Sequence, residues 1–210
     1  MIKFDLTLYL VTDSTGLEEA AFLQKVEAAC RGGVTLLQLR EKERGGREYL
    51  RLARRLKEIT DRYGIPLLID DRVDVAIAAD AAGVHVGRED LPVVEARRLL
   101  GAGKIVGATA KTVEQARQAK EEGADYLGVG AIYPTTTKVK TILTKVETLA
   151  DIVREVGLPV AAIGGLNAEN CDILKGSGFS GIAVVSAVMK ADDPEAAARA
   201  LREKINILQK

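Results

Sequence analysis

The chain has 210 residues, 47% of them hydrophobic, and its 30 basic and 30 acidic residues give a net charge of zero. This length and composition predict one globular domain over residues 1–210 with a large apolar core. A zero net charge excludes a general long-range attraction for nucleic acid or for a membrane surface. We therefore expect neither as a partner.

The N-terminal stretch MIKFDLTLYLVTD is interrupted by Asp5 and Asp13. It contains neither the apolar region and cleavage site of a signal peptide nor a spanning segment of about 20 apolar residues. We therefore expect a cytoplasmic protein. The sequence leaves the oligomeric state open, and an oligomer is compatible with it.

The chain has two cysteines, Cys30 and Cys171, and one histidine, His85. The cysteines are far apart and show no metal-ligand spacing, so we expect two small buried hydrophobic side chains rather than a zinc site or a disulfide framework. With one histidine, a zinc site of several imidazoles is excluded, and Ser-His-Asp catalysis would depend on that residue alone.

Short apolar runs alternate with amphipathic stretches along the chain. Strands are predicted at residues 8–12, 35–40, 67–70, 83–86, 104–108, 125–129, 160–163 and 181–185. These runs are apolar on both faces, as in parallel strands that are covered on both sides. Helical periodicity is clearest in three sets, namely Leu52, Leu56, Ile59 and Tyr63; Val146, Leu149, Val153 and Val156; and Ala197, Leu201, Ile205 and Leu208.

Strict alternation of eight strands with eight helical segments predicts an α/β fold with a parallel sheet. At about 200 residues, eight such units indicate a single-domain (β/α)8 TIM barrel. An open doubly wound sheet would usually have fewer strands and a GxGxxG turn after the first, whereas this chain has DSTG there. The active site of such a barrel lies where the strands end and the loops to the helices begin.

Two cations and an amide lie at the end of the second predicted strand and just after it, in the sequence QLREK. Alternation along an extended chain places Gln38, Arg40 and Lys42 on one side, toward the barrel mouth, and Leu39 in the packing. Such a set can hold a polyanion. The alternative, a solvated charge run, explains the residues from Glu43 onward but not the polar residues within an apolar strand.

Carboxylates follow the third and fourth predicted strands. Asp70, Asp71 and Asp90 lie on neighbouring loops, where they could bind Mg²⁺ together with phosphate oxygens and water. The alternative for each is to cap the helix that follows. Similarly, Thr109 after the fifth strand either faces a ligand or caps a helix, and His85 either touches a ligand or is a core imidazole with satisfied hydrogen bonds.

Residues 126–138, YLGVGAIYPTTTK, run from an apolar strand through a turn to three hydroxyls and a cation. This arrangement predicts an anion site. After the seventh and eighth strands, Gly164-Gly165 and Val185-Ser186 could hold a phosphate through backbone N–H groups and a hydroxyl. The glycine-bearing loops at residues 13–16 and 44–46 are candidates to close over the site.

The rim is therefore predicted to carry a cation-rich site with a metal for a diphosphate, and a neutral site for a monophosphate. No obvious general base stands between them. This combination fits a reaction whose main requirement is to stabilise a departing diphosphate.

Seven motifs in this order resemble the thiamine-phosphate synthase family: YLVTD, QLREK, DRVDVA, GVHVGRED, TTTK, AIGGL and AVVSA. The resemblance covers almost the whole chain. It implies a (β/α)8 barrel and a transferase that joins hydroxymethylpyrimidine diphosphate to a thiazole phosphate. It further implies that diphosphate departs before the thiazole nitrogen captures the pyrimidine-methyl cation, and that Mg²⁺ is the cofactor.

The resemblance also assigns roles to residues. It implies contacts to the pyrimidine diphosphate from Gln38, Leu39, Arg40, Glu41, Lys42, Asp70, Thr109 and Lys138, of which Arg40, Lys42, Thr109 and Lys138 would act in catalysis. It implies metal ligands at Asp71 and Asp90. It places the thiazole phosphate on Thr135, Thr136, Thr137, Gly165, Val185 and Ser186. The chain departs from the family's common residues at Asp70, Arg88 and Thr109, where Asn, Gln and Ser are usual.

Three other functions fit the sequence less well. A thiazole tautomerase of the same barrel family releases no diphosphate, so it would not need Arg40, Lys42, Asp71, Asp90 and Lys138 together. A phosphate-sugar isomerase or epimerase needs an acid/base pair, which the single His85 supplies poorly. A binding or sensing module would not need the metal carboxylates.

Overall fold

In the computed structural model, which describes residues 3–135 and 142–210, eight parallel strands close into a barrel in sequence order. The strands are β1 (Leu8–Val11), β2 (Leu36–Leu39), β3 (Leu67–Asp70), β4 (Gly83–Val86), β5 (Ile105–Ala110), β6 (Tyr126–Gly130), β7 (Val160–Ile163) and β8 (Gly181–Val184). The α-helices are α1 (Glu19–Arg31), α2 (Gly46–Arg62), α3 (Val73–Ala78), α4 (Val93–Leu100), α5 (Val113–Glu121), α6 (Val146–Val156), α7 (Ser186–Met189) and α8 (Pro194–Leu208). The predicted (β/α)8 barrel is confirmed.

The alternation of strands and α-helices is not strict, which corrects the expectation at one place. Between β7 and β8 the described chain forms only a 3₁₀ helix, Cys171–Leu174, and two α-helices follow β8. Gly176 and Gly178 both have positive φ after this short helix. A left-handed conformation at two nearby positions stops a helix and turns the chain back into β8.

Alternate residues of each strand face two different cores. The outward residues Leu37, Leu39 and Ile69 pack against the helices, whereas Leu36 and Leu68 point into the barrel. The interior layer consists of Leu6, Tyr9, Val11, Leu36, Leu68, Ile105, Tyr126, Ala161 and Ala183. Two tyrosines therefore occupy a layer that bulky aliphatic residues usually fill, and they bring hydroxyl groups into the barrel.

The predicted helix faces form the outer layer. In α2, Leu52, Leu56 and Ile59 are buried, and Tyr63 lies at the C-cap, 37% exposed. Both cysteines are buried and free, as predicted, and burial raises the pKa of the Cys30 thiol to about 12.

The barrel closes where β1 pairs with β8, with Tyr9 opposite Ala183. Outside this seam α8 packs on α1. Gly32, at the end of α1, makes the close approach possible, since a Cβ there would lie 2.3 Å from the Glu195 carbonyl oxygen. Among residues 3–135 and 142–210, no helix combines the length and the apolar character that a membrane span requires.

Candidate active site

The side chains at the end of β2 point in alternate directions, as the strand pattern predicts. Gln38 is buried in the barrel and donates from Nε2 to the Tyr9 hydroxyl at 2.8 Å. Leu39 faces the helices with no exposed surface, and its carbonyl accepts a 2.7 Å hydrogen bond from the Tyr49 hydroxyl. The Leu39 side chain therefore supports the strand end from outside and is directed away from the barrel mouth.

Arg40, Lys42, Asp70 and Asp71 form one charge cluster at the ends of β2 and β3. Lys42 Nζ lies 3.2 Å from Asp70 Oδ2 and contacts Asp71 Oδ2. Arg40 Nε lies 3.7 Å from Asp70 Oδ2. Asp71 adopts a positive φ of 59°. Non-glycine residues take this conformation at a cost, and such strain is concentrated at functional sites.

The pKa directions in this cluster follow from burial and then from charge. Burial raises the pKa of Asp70, although attraction to Lys42 and Arg40 opposes the rise. Partial burial alone would lower the pKa of Lys42, but its hydrogen bond to Asp71 and its attraction to Asp70 raise the pKa above the ordinary value. Two cations thus hold a buried carboxylate that would otherwise favour its neutral form.

Asp90 faces this cluster from the loop after β4. Its Oδ2 accepts a 2.8 Å hydrogen bond from the Gly87 N–H, at a position where a Cβ on residue 87 would lie 2.8 Å from that oxygen. Burial, followed by the neighbouring Asp71 carboxyl, raises the pKa of Asp90. Two adjacent carboxylates of this kind are complementary to a cation.

The donor set at Asp71 and Asp90 fits Mg²⁺. Within the described part of the chain, no group of three or more acidic, histidine or cysteine side chains could hold a metal by itself. A pair of carboxylates completed by phosphate oxygens and water is the usual way in which Mg²⁺ is bound beside a phosphorylated substrate.

The helix-cap alternatives do not apply to these residues. The N-cap of α3 is Arg72 and that of α4 is Pro92, and neither helix has a side-chain cap hydrogen bond. The cap of α5 is Thr112, which accepts from the Gln115 N–H. Asp70, Asp71, Asp90 and Thr109 are therefore not held as caps, and their polar groups serve the rim and the barrel interior.

Glu41 joins the two loops that were candidates for closure. Its Oε2 accepts from Ser14 Oγ at 2.9 Å and from Arg44 Nε at 2.8 Å. Its Oε1 is buried without a partner among the described residues. Glu41 was expected to contact substrate, and in this structure its carboxylate connects the loops after β1 and β2.

A hydrogen-bonded chain of five side chains crosses the barrel interior from Gln38 to Thr109. Tyr9 Oη and Tyr126 Oη lie 2.8 Å apart, and Tyr126 Oη lies 2.9 Å from His85 Nδ1. His85 Nε2 lies 3.0 Å from Thr109 Oγ1. Both ring nitrogens of His85 thus have partners, which corresponds to the expected alternative of a satisfied imidazole.

His85 is neutral in this environment. Burial lowers its pKa to about 4, although the charge of Asp90 opposes this change. Burial also raises the pKa of both Tyr9 and Tyr126. At neutral pH the hydrogen-bonded chain from Gln38 to Thr109 therefore contains no charged group. All of its hydrogen bonds join neutral polar groups.

The loop after β6 begins against the loop after β7. Tyr133 N donates to the Gly164 carbonyl at 3.0 Å, and a Cβ on Gly165 would lie 2.7 Å from the Pro134 carbonyl oxygen. Thr144 closes the far side of this loop, because its backbone N–H donates to Ala131 and its hydroxyl donates to Gly130. Thr135 is half-buried, whereas Thr136, Thr137 and Lys138 lie outside the described residues.

The loops after β7 and β8 are neighbours, since Ile163 pairs with Ala183 in the sheet. Gly165 has a positive φ of 65°, and its carbonyl accepts from Asn170 Nδ2 at 2.9 Å. Val185 is half-buried against the barrel interior, and the exposed Ser186 begins α7. The structure therefore places the glycine pair and Val185-Ser186 on the same edge of the barrel.

Sequence reasoning did not assign Tyr9, Tyr126, Tyr49 or Thr144 to the site. Tyr9 and Tyr126 lie on apolar strands and are typical core residues by pattern. The only available sign was that two tyrosines fall on inward-facing strand positions, where a buried hydroxyl requires a partner.

The chain is similar to known proteins over nearly its whole length. The family described as thiamine monophosphate synthase matches residues 8–188. The chain is 53% identical to Thiamine-phosphate synthase 2 of Streptococcus pneumoniae serotype 4 over 204 residues, or 97% of each protein. It is 51% identical to Thiamine-phosphate synthase of Lacticaseibacillus paracasei over 201 residues, 96% of this chain and 94% of that protein.

A solved structure gives the same result. The thiamine phosphate pyrophosphorylase from Pyrococcus furiosus superimposes with a TM-score of 0.88 at 38% identity, and the match covers 98% of each chain. The predicted activity of a thiamine-phosphate synthase, and with it the predicted class of transferase, is confirmed by these relatives. The chain belongs to the thiamine monophosphate synthase family.

Proposed function

We propose that the protein condenses a hydroxymethylpyrimidine diphosphate with a thiazole phosphate to give thiamine phosphate, and that Mg²⁺ is its cofactor. The observation that carries this proposal is the cluster of Arg40 and Lys42 with Asp70, Asp71 and Asp90 on one rim. A thiazole tautomerase of the same barrel would have no diphosphate to hold and no use for such a cluster.

The pyrimidine diphosphate lies on the side of β2 to β5 in this proposal. Arg40 and Lys42 bind phosphate oxygens, and Lys138, which lies outside the described residues, adds a third cation. Because Arg40 and Lys42 are now paired with Asp70 and Asp71, the arriving diphosphate takes over part of these contacts. Gln38 and Thr109 face the heterocycle from opposite sides of the barrel.

Asp71 and Asp90 would hold Mg²⁺ together with phosphate oxygens. When bound, the ion would offset negative charge on the diphosphate and so make it a better leaving group. Burial, followed by the adjacent Asp71 carboxyl, raises the pKa of Asp90, and this closeness of the two carboxyls supports the role.

The thiazole phosphate lies on the side of β6 to β8. Gly165 lets the backbone approach a phosphate closely, and Val185, Ser186 and the hydroxyls of residues 135–137 supply neutral donors. A monophosphate on a neutral site and a diphosphate on a cationic site would be kept apart by charge. The two substrates would then meet over the barrel mouth.

In the reaction, the bond from the pyrimidine methylene carbon to the diphosphate oxygen breaks, and the diphosphate keeps the electron pair. The thiazole nitrogen then donates its lone pair to the cationic methylene carbon, which forms the C–N bond. No proton transfer is needed in either step. This fits a rim of fixed charges and an imidazole with both nitrogens engaged, because the main task is electrostatic.

The proposal is tested by mixing the purified protein with both substrates and Mg²⁺ and measuring diphosphate and thiamine phosphate. We expect both products in equal amounts, and no diphosphate when Mg²⁺ is removed by a chelator. Failure to release diphosphate with any divalent metal would contradict the proposal. Conversion of a thiazole tautomer without diphosphate release would favour the tautomerase.

A further inference from the structure

The hydrogen bonds that join the five side chains in the barrel interior all donate in one direction, from Gln38 toward Thr109. Gln38 donates from its amide nitrogen to Tyr9 Oη, so the Tyr9 hydroxyl hydrogen must point to another acceptor. Among the described residues, the Tyr126 hydroxyl at 2.8 Å is the hydrogen-bond partner that the Tyr9 hydroxyl has besides Gln38. A buried hydroxyl hydrogen without an acceptor is costly, so Tyr9 donates to Tyr126.

The same argument continues to the other end. Because Tyr126 Oη accepts from Tyr9, its hydrogen is directed at His85 Nδ1, 2.9 Å away. A neutral imidazole that accepts at Nδ1 carries its proton on Nε2, which then donates to Thr109 Oγ1 at 3.0 Å. The Thr109 hydroxyl hydrogen is not used by His85. The orientation of the Gln38 amide at one end thus determines that the Thr109 hydroxyl at the other end accepts from His85 and keeps its own hydrogen free to donate.

We propose that Tyr9, Tyr126 and His85 are positioning residues that set the Gln38 amide as a hydrogen-bond acceptor and the Thr109 hydroxyl as a donor for the pyrimidine. One N–H of the Gln38 amide is engaged by Tyr9, which fixes the amide plane, and the carbonyl oxygen accepts no hydrogen bond from a described residue and is left for a substrate donor. An aminopyrimidine has the complementary groups, since its exocyclic amine donates and its ring nitrogens accept. This inference rests on the proposed function and adds residues that touch no substrate.

The barrel is built to accommodate this chain. A Cβ on Gly107 would lie 2.1 Å from the Tyr126 ring, and a Cβ on Gly128 would lie 3.2 Å from His85 Cε1. The Tyr9 and Tyr126 rings also pack edge to face at 5.8 Å, and the Tyr126 and His85 ring centroids are 5.6 Å apart. Two glycines and two ring contacts therefore fix the side chains that carry the hydrogen bonds.

The tautomer of His85 shows the direction in which the hydrogen bonds from Gln38 to Thr109 donate. His85 is the only histidine in the sequence, so a long-range ¹H–¹⁵N spectrum of the resting protein contains a single imidazole. We expect one neutral tautomer with the proton on Nε2. An imidazole protonated on Nδ1, or a mixture of tautomers in the unsubstituted protein, would overturn the proposal.

Gln38→Glu is the sharpest variant, because a carboxylate can only accept from Tyr9. Every hydrogen bond in the chain should then reverse, and His85 should move its proton to Nδ1, although three hydrogen bonds separate it from residue 38. Tyr49→Phe is the matched control, since it removes another buried tyrosine hydroxyl outside the chain. The control should keep the Nε2 tautomer, and an unchanged tautomer in Gln38→Glu would contradict the inference.

If Gln38→Glu does not fold, Tyr126→Phe supplies the test. This isosteric change removes the hydroxyl that donates to His85 Nδ1, while the Thr109 hydroxyl can pair with Nε2 in either protonation state. The imidazole should therefore become a mixture of tautomers, and a retained single tautomer would contradict the inference. In turnover, Tyr126→Phe should lower kcat/KM for the pyrimidine diphosphate about tenfold and leave KM for the thiazole phosphate unchanged. An equal loss for both substrates would indicate a merely structural role. The spectra need no substrate, so they stand or fall separately from the proposed reaction.

Discussion

Asp70 shows how a single residue can be stabilised by partners that a substrate also needs. Its carboxylate is buried, which alone would favour the protonated form, and Arg40 and Lys42 offset this effect. The same two cations are the proposed diphosphate ligands. The resemblance gives Asn as the family's common residue at this position, so the charge of Asp70 departs from the family's usual pattern.

We expect Asp70→Asn to lower KM for the pyrimidine diphosphate about fivefold, because the change removes a negative charge beside the substrate and releases Arg40 and Lys42. Steady-state diphosphate release at saturating thiazole phosphate measures this effect. Asp71→Asn serves as the comparison. It should instead raise the Mg²⁺ concentration needed for half-maximal activity, and the same response from both variants would argue against separate roles.

His85 should make the folded state sensitive to mild acid. Its pKa is about 4 in the folded protein and about 6.5 in the unfolded chain, so the unfolded chain binds more protons between these values. The free energy of unfolding should fall by about 2 kcal/mol from pH 7 to pH 5 through this residue alone. Urea titrations at several pH values measure the slope. His85→Gln should lack this dependence, and an identical slope in both proteins would contradict the assignment.

At the scale of the elements, the loop after β5 separates two threonines with different tasks. Thr109 ends the polar chain inside the barrel, and Thr112, three residues later, caps α5. The sequence alone allows the same interpretation for both threonines, because either could cap the helix that follows. Only the position at which α5 begins, Val113, distinguishes them.

Thr112→Ala should lower the free energy of unfolding by about 1 kcal/mol through loss of the cap, with kcat/KM unchanged. Thr109→Val should lower kcat/KM about tenfold, since it removes the proposed donor, and Thr109→Ser should restore it. Chemical denaturation and steady-state kinetics on the three proteins separate the effects. A loss of activity in Thr112→Ala comparable to that in Thr109→Val would contradict this division.

The sequence was sufficient to predict the strands and the charged rim of the barrel. All eight strands lie within two residues of their predicted bounds, because an apolar run that is buried on both faces has few other solutions. The convergence of Lys42 with Asp70 and Asp71 also followed, since parallel strands end on the same edge. Local pattern and topology agree at these positions.

Other features depend on contacts that local pattern does not contain. The pairing of Tyr9 with Tyr126 joins residues that are 117 positions apart, and each tyrosine alone is an ordinary core residue. The orientation of Glu41 toward Ser14 depends on how the loop after β1 returns across the rim. The 3₁₀ helix between β7 and β8 replaced a predicted α-helix because glycines end it early.

At the scale of the whole molecule, stability depends on the seam between the first and last elements. The Gly32 position lies directly under α8, where the space is filled by the Glu195 backbone. Gly103 offers a contrast, because it is exposed and a Cβ there would meet nothing within 4 Å.

Gly32→Ala should lower the free energy of unfolding by about 1–3 kcal/mol, since α8 must move away from α1 to admit the methyl group. Gly103→Ala should change it by less than about 0.5 kcal/mol. Equilibrium denaturation of both variants measures the difference. Equal stabilities would show that the seam yields without cost and would contradict the predicted strain.

The pairing of Tyr9 with Ala183 also bears on how the protein is made. The ribosome delivers β1 long before β8, so a nascent chain carries an open, unpaired strand edge until β8 emerges. Contacts this distant in sequence are slow to form, and exposed strand edges promote aggregation. Closure of the barrel must therefore await the synthesis of β8, and truncated chains that lack β8 should depend on chaperones to remain in solution.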